Sequence, residues 1–148
     1  MQGELVMENN LIYVVGTAFI EDGKLLISMS QRSAKKGKFT LVGGGVEEGE
    51  TFIEAARREC MEEINNGFEI STDELEEILT FREPALSDPG SMIEMHMFLA
   101  KKKIDVELIP NEEIVEFRWF TIGDDEELLS SAITNNLIPW AVFNNLLY

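Results

Sequence analysis

The sequence is short of positive charge: 12 Lys and Arg stand against 28 Asp and Glu, a formal net charge of −16 at pH 7. A surface of that sign repels nucleic acid and anionic lipid, both of which need a basic face. An anionic ligand must be drawn in by a local basic patch or by bound cations. Cysteine occurs once, at Cys60, which excludes an internal disulfide and fits a reducing, cytoplasmic setting. Histidine also occurs once, at His96, with no second histidine to share a metal. Long apolar runs are missing. The most apolar early stretch, Leu11 to Ile20, is broken by Gly16 and preceded by Glu4 and Glu8 with no basic residue. It is too short to cross a bilayer and wrongly flanked for a leader peptide, so no membrane partner is expected. Linkers, repeats and a D-x-D-x-D-G calcium loop are likewise absent. The 148 residues therefore read as one domain around one core.

What is present has clear periodicities. Leu11–Ile20 is β-branched and aromatic, Asp22-Gly23 can turn tightly, and Lys24–Ser30 continues, a β-hairpin pattern. A basic loop, Arg32 to Lys38, leads to a short strand at Phe39–Val42 that runs into Gly43-Gly44-Gly45. From Thr51 the period becomes helical: Ile53, Ala56, Cys60 and Ile64 form one stripe, and Thr51 with Glu54 offers a capping box. Asn65-Asn66-Gly67 is a natural stop. Strands are expected near Leu75–Arg82, Met92–Ala100 and Val115–Phe120, with a loop between Glu83 and Gly90 containing Pro84 and Pro89. Asp124 can cap a short helix into Leu129, and Pro139 can open a last one into Leu147. Strands, a helix, more strands and then helices imply an α/β fold, a mixed β-sheet with helices packed on its faces.

The chemistry concentrates in residues 44–67. Glu59, Glu62 and Glu63 stand at i, i+3 and i+4, within about a 100° arc that borders the apolar stripe. Carboxylates so close repel one another unless a positive charge intervenes. Mg²⁺ or Mn²⁺, hard cations that prefer oxygen ligands, would satisfy them. Arg58, four residues after Glu54 and four before Glu62, can brace the cluster. The three glycines allow close backbone approach, for a carbonyl ligand or for a phosphate near Gly44 and Gly45. Taken alone, three glutamates on a helix of so acidic a protein are also what a solvated face looks like.

The surrounding residues decide between these readings. Gly44-x5-Glu50-x7-Arg58-Glu59-Cys60-Met61-Glu62-Glu63 resembles the signature of the Nudix hydrolase superfamily, G-x5-E-x7-R-E-U-x-E-E-x-G-U, where U is a bulky aliphatic. Phe39-Thr40-Leu41-Val42-Gly43-Gly44 is similar to its W-x-L-P-G-G lead-in, and Val46-Glu47-Glu48-Gly49-Glu50 to its V-E-x-G-E. Cys60 replaces the aliphatic, Val42 the proline, and Asn65-Asn66 the G-U pair. Either Asn65 takes the left-handed cap, or the helix runs on and Gly67-Phe68 plays that part.

The resemblance implies an α/β/α sandwich and a hydrolase that cleaves a diphosphate linkage in a nucleoside diphosphate derivative or similar small phosphorylated metabolite. It implies Mg²⁺ or Mn²⁺ held by Glu59, Glu62 and Glu63 with the Gly43 or Gly44 carbonyl. Glu50 and Arg58 would be structural, Arg58 serving catalysis by orienting the carboxylates. Glu62, Glu63 or a later glutamate (Glu112, Glu113 or Glu116, with Glu113 the chosen candidate) would be the general base. Arg32 and Lys38 become candidate phosphate contacts. Glu94, on a strand face with His96, is a further carboxylate that can reach a cleft, and Trp119 or Phe120 can stack on a base. Met92, Met95 and Met97 are expected to pack. A second copy of the chain is a possible partner, as in many relatives. The alternatives are a non-catalytic Nudix module that binds a nucleotide or protein, an isopentenyl diphosphate isomerase, which would need a cysteine outside the helix, and an RNA 5′-end pyrophosphohydrolase, which the −16 charge disfavours.

Overall fold

A computed structural model of the chain describes residues 7, 8, 10–85 and 90–148; Glu4 and the stretch 86–89, with Pro89, lie outside them. After a two-residue strand, Met7–Glu8 (β1), the expected hairpin forms from Leu11–Ala18 (β2), Ile20–Glu21 (β3) and Lys24–Ser30 (β4). Asp22 (φ 50°) and Gly23 (φ 76°) both adopt the left-handed conformation that a two-residue hairpin turn demands. The hairpin divides at Phe19, so that β2 and β3 enter different sheets.

A one-turn helix, Gln31–Ala34 (α1), follows, and then Val42–Gly45 (β5), the long helix Phe52–Ile64 (α2), Leu75–Pro84 (β6) and Met92–Ala100 (β7). In the larger sheet β2 pairs in parallel with β7 along one edge. Along the other it pairs antiparallel with β1 and β5, and β6 adds antiparallel to the outside of β7. The sheet is mixed, as expected. A second, antiparallel sheet orders β3, β4 and Ile114–Phe120 (β8). Alternate strand residues feed opposite cores. Leu25 and Ile27 pack with Leu137 and Ala141 under the C-terminal helix, whereas Leu26 and Phe98 pack with Ala56, Cys60 and Ile64 under α2. Helices thus cover both faces, the layering of an α/β/α sandwich.

The α2 boundaries follow their sequence signals. Thr51 accepts the Glu54 N–H at 3.2 Å while Glu54 accepts the Thr51 N–H at 2.9 Å. The helix ends at Ile64, and Asn65 itself takes positive φ (56°), followed by Asn66 and Gly67. Asn65 therefore replaces the usual glycine cap, and the longer-helix option does not apply.

Four expectations need correction. The strand expected at Phe39–Val42 is instead Val42–Gly45, so the glycine triplet lies within β5, register-paired with Val14, Val15 and Gly16 of β2. A Cβ on Gly43 would sit 2.1 Å from the Val15 carbonyl oxygen, so packing of two backbones requires the glycine there. The strand β6 extends through Pro84, tolerated because β6 is the sheet edge. The short turn before Leu129 is capped by Asp125, whose side chain accepts the Glu127 N–H; Asp124 instead accepts the Thr121 N–H. Pro139 does not open the last helix. Helical backbone begins at Ser131, passes through a π-turn at Ile133–Leu137, and continues as Ile138–Phe143 (α3). Proline lacks an N–H and crowds the carbonyl four residues back, and the wider turn accommodates both. Among the described residues no helix is long and apolar enough to cross a membrane.

Candidate active site

The inner face of α2 carries carboxylates where its apolar stripe meets β5. Glu59 and Glu63, four residues apart, are 3% and 7% exposed. The Glu63 carboxyl group hydrogen-bonds that of Glu59, and burial together with this neighbour pushes Glu63 well above the ordinary carboxylate range. The Gly43 N–H donates to Glu63 Oε1 at 3.3 Å and pulls the other way. Glu62 lies nearer the surface, linked to Glu59 through Arg58 Nη1. It lies about 100° around the helix from Glu63, and its side chain is 43% exposed. Its carboxyl is raised, by partial burial first and by Glu59 second. A Cβ on Gly44 would stand 2.6 Å from Glu59 Oε2, so the missing side chain is what lets the Glu59 carboxylate lie against β5.

Arg58 spends all five of its N–H donors on this wall. Nε and Nη2 grip Glu50 at 2.6 and 2.9 Å, and Nη1 reaches Glu59 at 2.7 Å and Glu62 at 3.3 Å. Nη2 also donates to the Gly45 carbonyl at 3.0 Å. Glu50 and Glu59 hold the guanidinium even more firmly protonated than usual, and the Arg58 hydrogen bonds hold Glu50 below the carboxylate range. Cys60, buried in the core behind them, has its thiol pushed up to about 12 by desolvation and is inert.

The buried pair opens on a cavity of about 1210 Å³. Gly43, Gly44 and Gly45 form part of its wall, and Arg32, Lys38 and Glu113 stand on it as well. Glu112 lines it too, whereas Glu116 is turned into an ion pair with Arg118 at 2.8 Å. The Glu113 segment is tied to α2 by a residue that sequence reasoning missed. Asn111 donates to the Glu63 carbonyl at 2.8 Å and accepts the N–H groups of Glu113 and Ile114. An Asn two residues before an acid is a weak turn signal, and nothing in the sequence says that its amide crosses to α2.

Other candidates lie elsewhere. Glu94 and His96 face α2 rather than the cavity. His96 has Nε2 2.7 Å from Glu94 and Nδ1 2.7 Å from Glu77, and its ring stacks on Phe52 at 3.6 Å. Burial of Glu94 is offset by the His96 and Arg82 hydrogen bonds, which hold its carboxyl low. Trp119 and Phe120 pack in the two cores and do not line the cavity. Met97 packs in the core as expected, whereas Met95 is partly exposed on the cavity wall. Among the described residues no three His, Cys, Asp or Glu side chains are gathered closely enough to enclose a metal. The donor set is nevertheless all oxygen, and Glu63 beside Glu59 brings two nearly buried carboxyl groups into contact. A hard cation between them would relieve their repulsion.

The NUDIX domain family model matches residues 12–140. The NAD-capped RNA hydrolase ndx-9 of Caenorhabditis elegans is 29% identical over 107 residues, covering 72% of this chain. The chain spans only 27% of the length of that curated relative. Among solved structures, the MutT protein from Methanosarcina mazei superposes with a TM-score of 0.70 at 18% identity, covering 94% of this chain and 99% of that one. The MutT NUDIX hydrolase from Burkholderia pseudomallei gives 0.69 at 21% identity, with 86% and 96% covered. A C. elegans Ap4A hydrolase gives 0.63 at 20% identity, with 90% and 97% covered. At these identities the structural matches establish a common fold.

Proposed function

The chain belongs to the Nudix family, and on that premise we propose that it is a divalent-metal-dependent hydrolase of the diphosphate linkage in a small nucleotide-type or similar phosphorylated metabolite. The observation that carries this reading is the buried Glu59–Glu63 pair facing a cavity that also holds Arg32, Lys38 and the glycine strand. Nudix hydrolases generally use divalent metals. Here Glu59, Glu62, Glu63 and the Gly43 carbonyl would hold Mg²⁺ or Mn²⁺. When bound, such an ion screens the diphosphate and acidifies water.

The protein's own groups divide the remaining work. Arg58 is a positioning residue: its fork on Glu50 fixes the guanidinium, whose Nη1 then aims Glu59 into the cavity. Arg32 and Lys38 receive phosphate oxygens, and the β5 backbone at Gly44 and Gly45 leaves room for them. A carboxylate on the same wall takes the proton from the attacking water. That base is Glu63 or Glu62 from α2, or Glu113 from the opposite strand loop, set in place by Asn111. The C. elegans relative is named for capped RNA. A net charge of −16 favours a small substrate over an RNA body.

The test is phosphate release from nucleoside diphosphate sugars, ADP-ribose, dinucleoside polyphosphates and nucleoside triphosphates, with and without Mg²⁺. Turnover is expected only with the metal. Glu63→Gln, which keeps volume and removes charge, is expected to lower kcat on the order of 10²–10⁴-fold with thermal stability maintained. Full turnover in Glu63→Gln and in Glu62→Gln, or in the presence of chelator, overturns the assignment.

A further inference from the structure

The reading above leaves open which part of the substrate is recognised, and the following inference rests on it. Four of the 12 cationic residues, Arg32, Lys35, Lys36 and Lys38, fall in one short stretch on the rim of the cavity. Lys38 is engaged, its Nζ donating to the Glu127 carbonyl. Arg32, Lys35 and Lys36 make no side-chain hydrogen bond or ion pair among the described residues. Elsewhere Arg58, Arg82, Arg118, Lys101 and Lys102 each reach a carboxylate and Arg57 a backbone carbonyl, while Lys24 and Lys103 reach neither among the described residues. Acids are not lacking nearby, since Glu112, Glu113, Glu126 and Glu127 line the same cavity.

The stretch owes its shape to backbone and serine, not to its cations. Ser30 and Ser33 close a capping box, Lys36 and Gly37 N–H groups donate to Ser33 and Ala34, and Gly37 takes φ 65°. The Gln31 N–H donates to the Glu113 carbonyl, fastening the stretch to the wall that carries the candidate base. Three adjacent cations are thus held at the rim with their charges uncommitted, in a chain with more than enough acid to neutralise them. The floor of the cavity has a different character. Val14, Ile93 and Met95, each partly exposed, present aliphatic and thioether surface that takes up a ring or a chain by contact area.

We propose that specificity is set at the phosphate end: Lys35 and Lys36, next to Arg32, hold a phosphate beyond the diphosphate at the Glu59–Glu63 wall. Preferred substrates then carry three or more linked phosphates.

The experiment is calorimetric titration of the full chain, with Mg²⁺, by inorganic pyrophosphate and by inorganic tripolyphosphate, neither of which has an organic part. Exposed charge contacts contribute modestly one by one, so two together give the wild type roughly fivefold tighter binding of tripolyphosphate. The double variant K35A/K36A is expected to lose that preference while its affinity for pyrophosphate stays within about threefold of wild type. Raising the salt should shrink the wild-type ratio. The two side chains have no partners to lose, so the variant's circular dichroism and melting should match wild type. Equal wild-type affinity for the two ligands, or an unchanged ratio in the double variant, overturns the proposal. Selective tripolyphosphate binding through these residues with no hydrolysis of any substrate would sustain it and overturn the hydrolase reading instead.

Discussion

Arg58 has five donors and five acceptors, so any smaller cation at this position leaves carboxylates without partners. Glu50 and Glu59 are largely buried, and breaking their contacts is costly because both charges stay behind. Arg58→Ala is expected to destabilise the fold by about 3 kcal/mol, the low end for a buried pair that loses one member. Arg58→Lys keeps the charge but not the planar fork, and should cost about 1.5 kcal/mol or more through lost charge-assisted hydrogen bonds. Urea denaturation read by fluorescence measures both; a lysine variant as stable as wild type would show that the fork is not what holds the wall. This residue was legible in the sequence, because Glu50, Arg58 and Glu59 sit at fixed spacing on a loop and a helix. The division within the glutamate trio was less legible. Helical periodicity gives an arc, but the neighbour across the groove decides which side chains are buried, and here it is β5, which buries Glu59 and Glu63 and leaves Glu62 nearer solvent. Asn111 was not legible at all, since its bond to the Glu63 carbonyl joins residues 48 apart in the chain.

The strand β5 shows the same logic at the scale of an element. The sequence places three glycines before the helix, where they permit close backbone approach. The approach is made on two different sides, which the run of glycines alone does not reveal. A Cβ on Gly43 meets backbone, 2.1 Å from the Val15 oxygen and 2.8 Å from the Gly16 Cα, whereas a Cβ on Gly44 meets only the Glu59 carboxylate. The two alanine variants should therefore separate folding from function. Gly43→Ala forces β5 away from β2 and is expected to cost about 1–3 kcal/mol, the range for overpacking a close-packed site. Gly44→Ala should melt near the wild-type temperature but lose metal-dependent turnover, because Glu59 must swing aside. Calorimetry and the phosphate-release assay together check this, and equal melting losses in the two variants would refute it. The hairpin and α2, by contrast, were readable because turn chemistry and capping are local. The split of the hairpin between two sheets and the π-turn before Pro139 were not, because both answer to packing against distant strands.

For the molecule as a whole, two electrostatic effects oppose each other as pH changes. The net charge of −16 repels itself and weakens the compact state at neutral pH, and this repulsion fades as the pH falls toward the isoelectric point near 4.3. Specific pairs act the other way. Glu50 is held low first by Arg58, and Glu94 first by His96, so each prefers to stay ionised in the folded state. A carboxyl depressed by folding contributes stability that is complete above its unfolded value, near 4.5, and is lost as pH falls through the folded one. Repulsion therefore governs from pH 8 down to about 5, and the pairs govern below. Salt separates the two, because surface repulsion acting over about a Debye length is screened, while partly buried pairs are screened much less. Urea midpoints measured in chelator at 0.05 and 0.5 M NaCl should show salt stabilising the chain clearly at pH 8 and little near pH 4.5. In the Glu50→Gln and Glu94→Gln variants the decline below pH 4.5 should flatten, since a neutral amide has no charge to lose. A midpoint at pH 8 that ignores salt would mean the negative surface is already neutralised by bound cations, and variants that fall as steeply as wild type would place the acid sensitivity in other carboxylates.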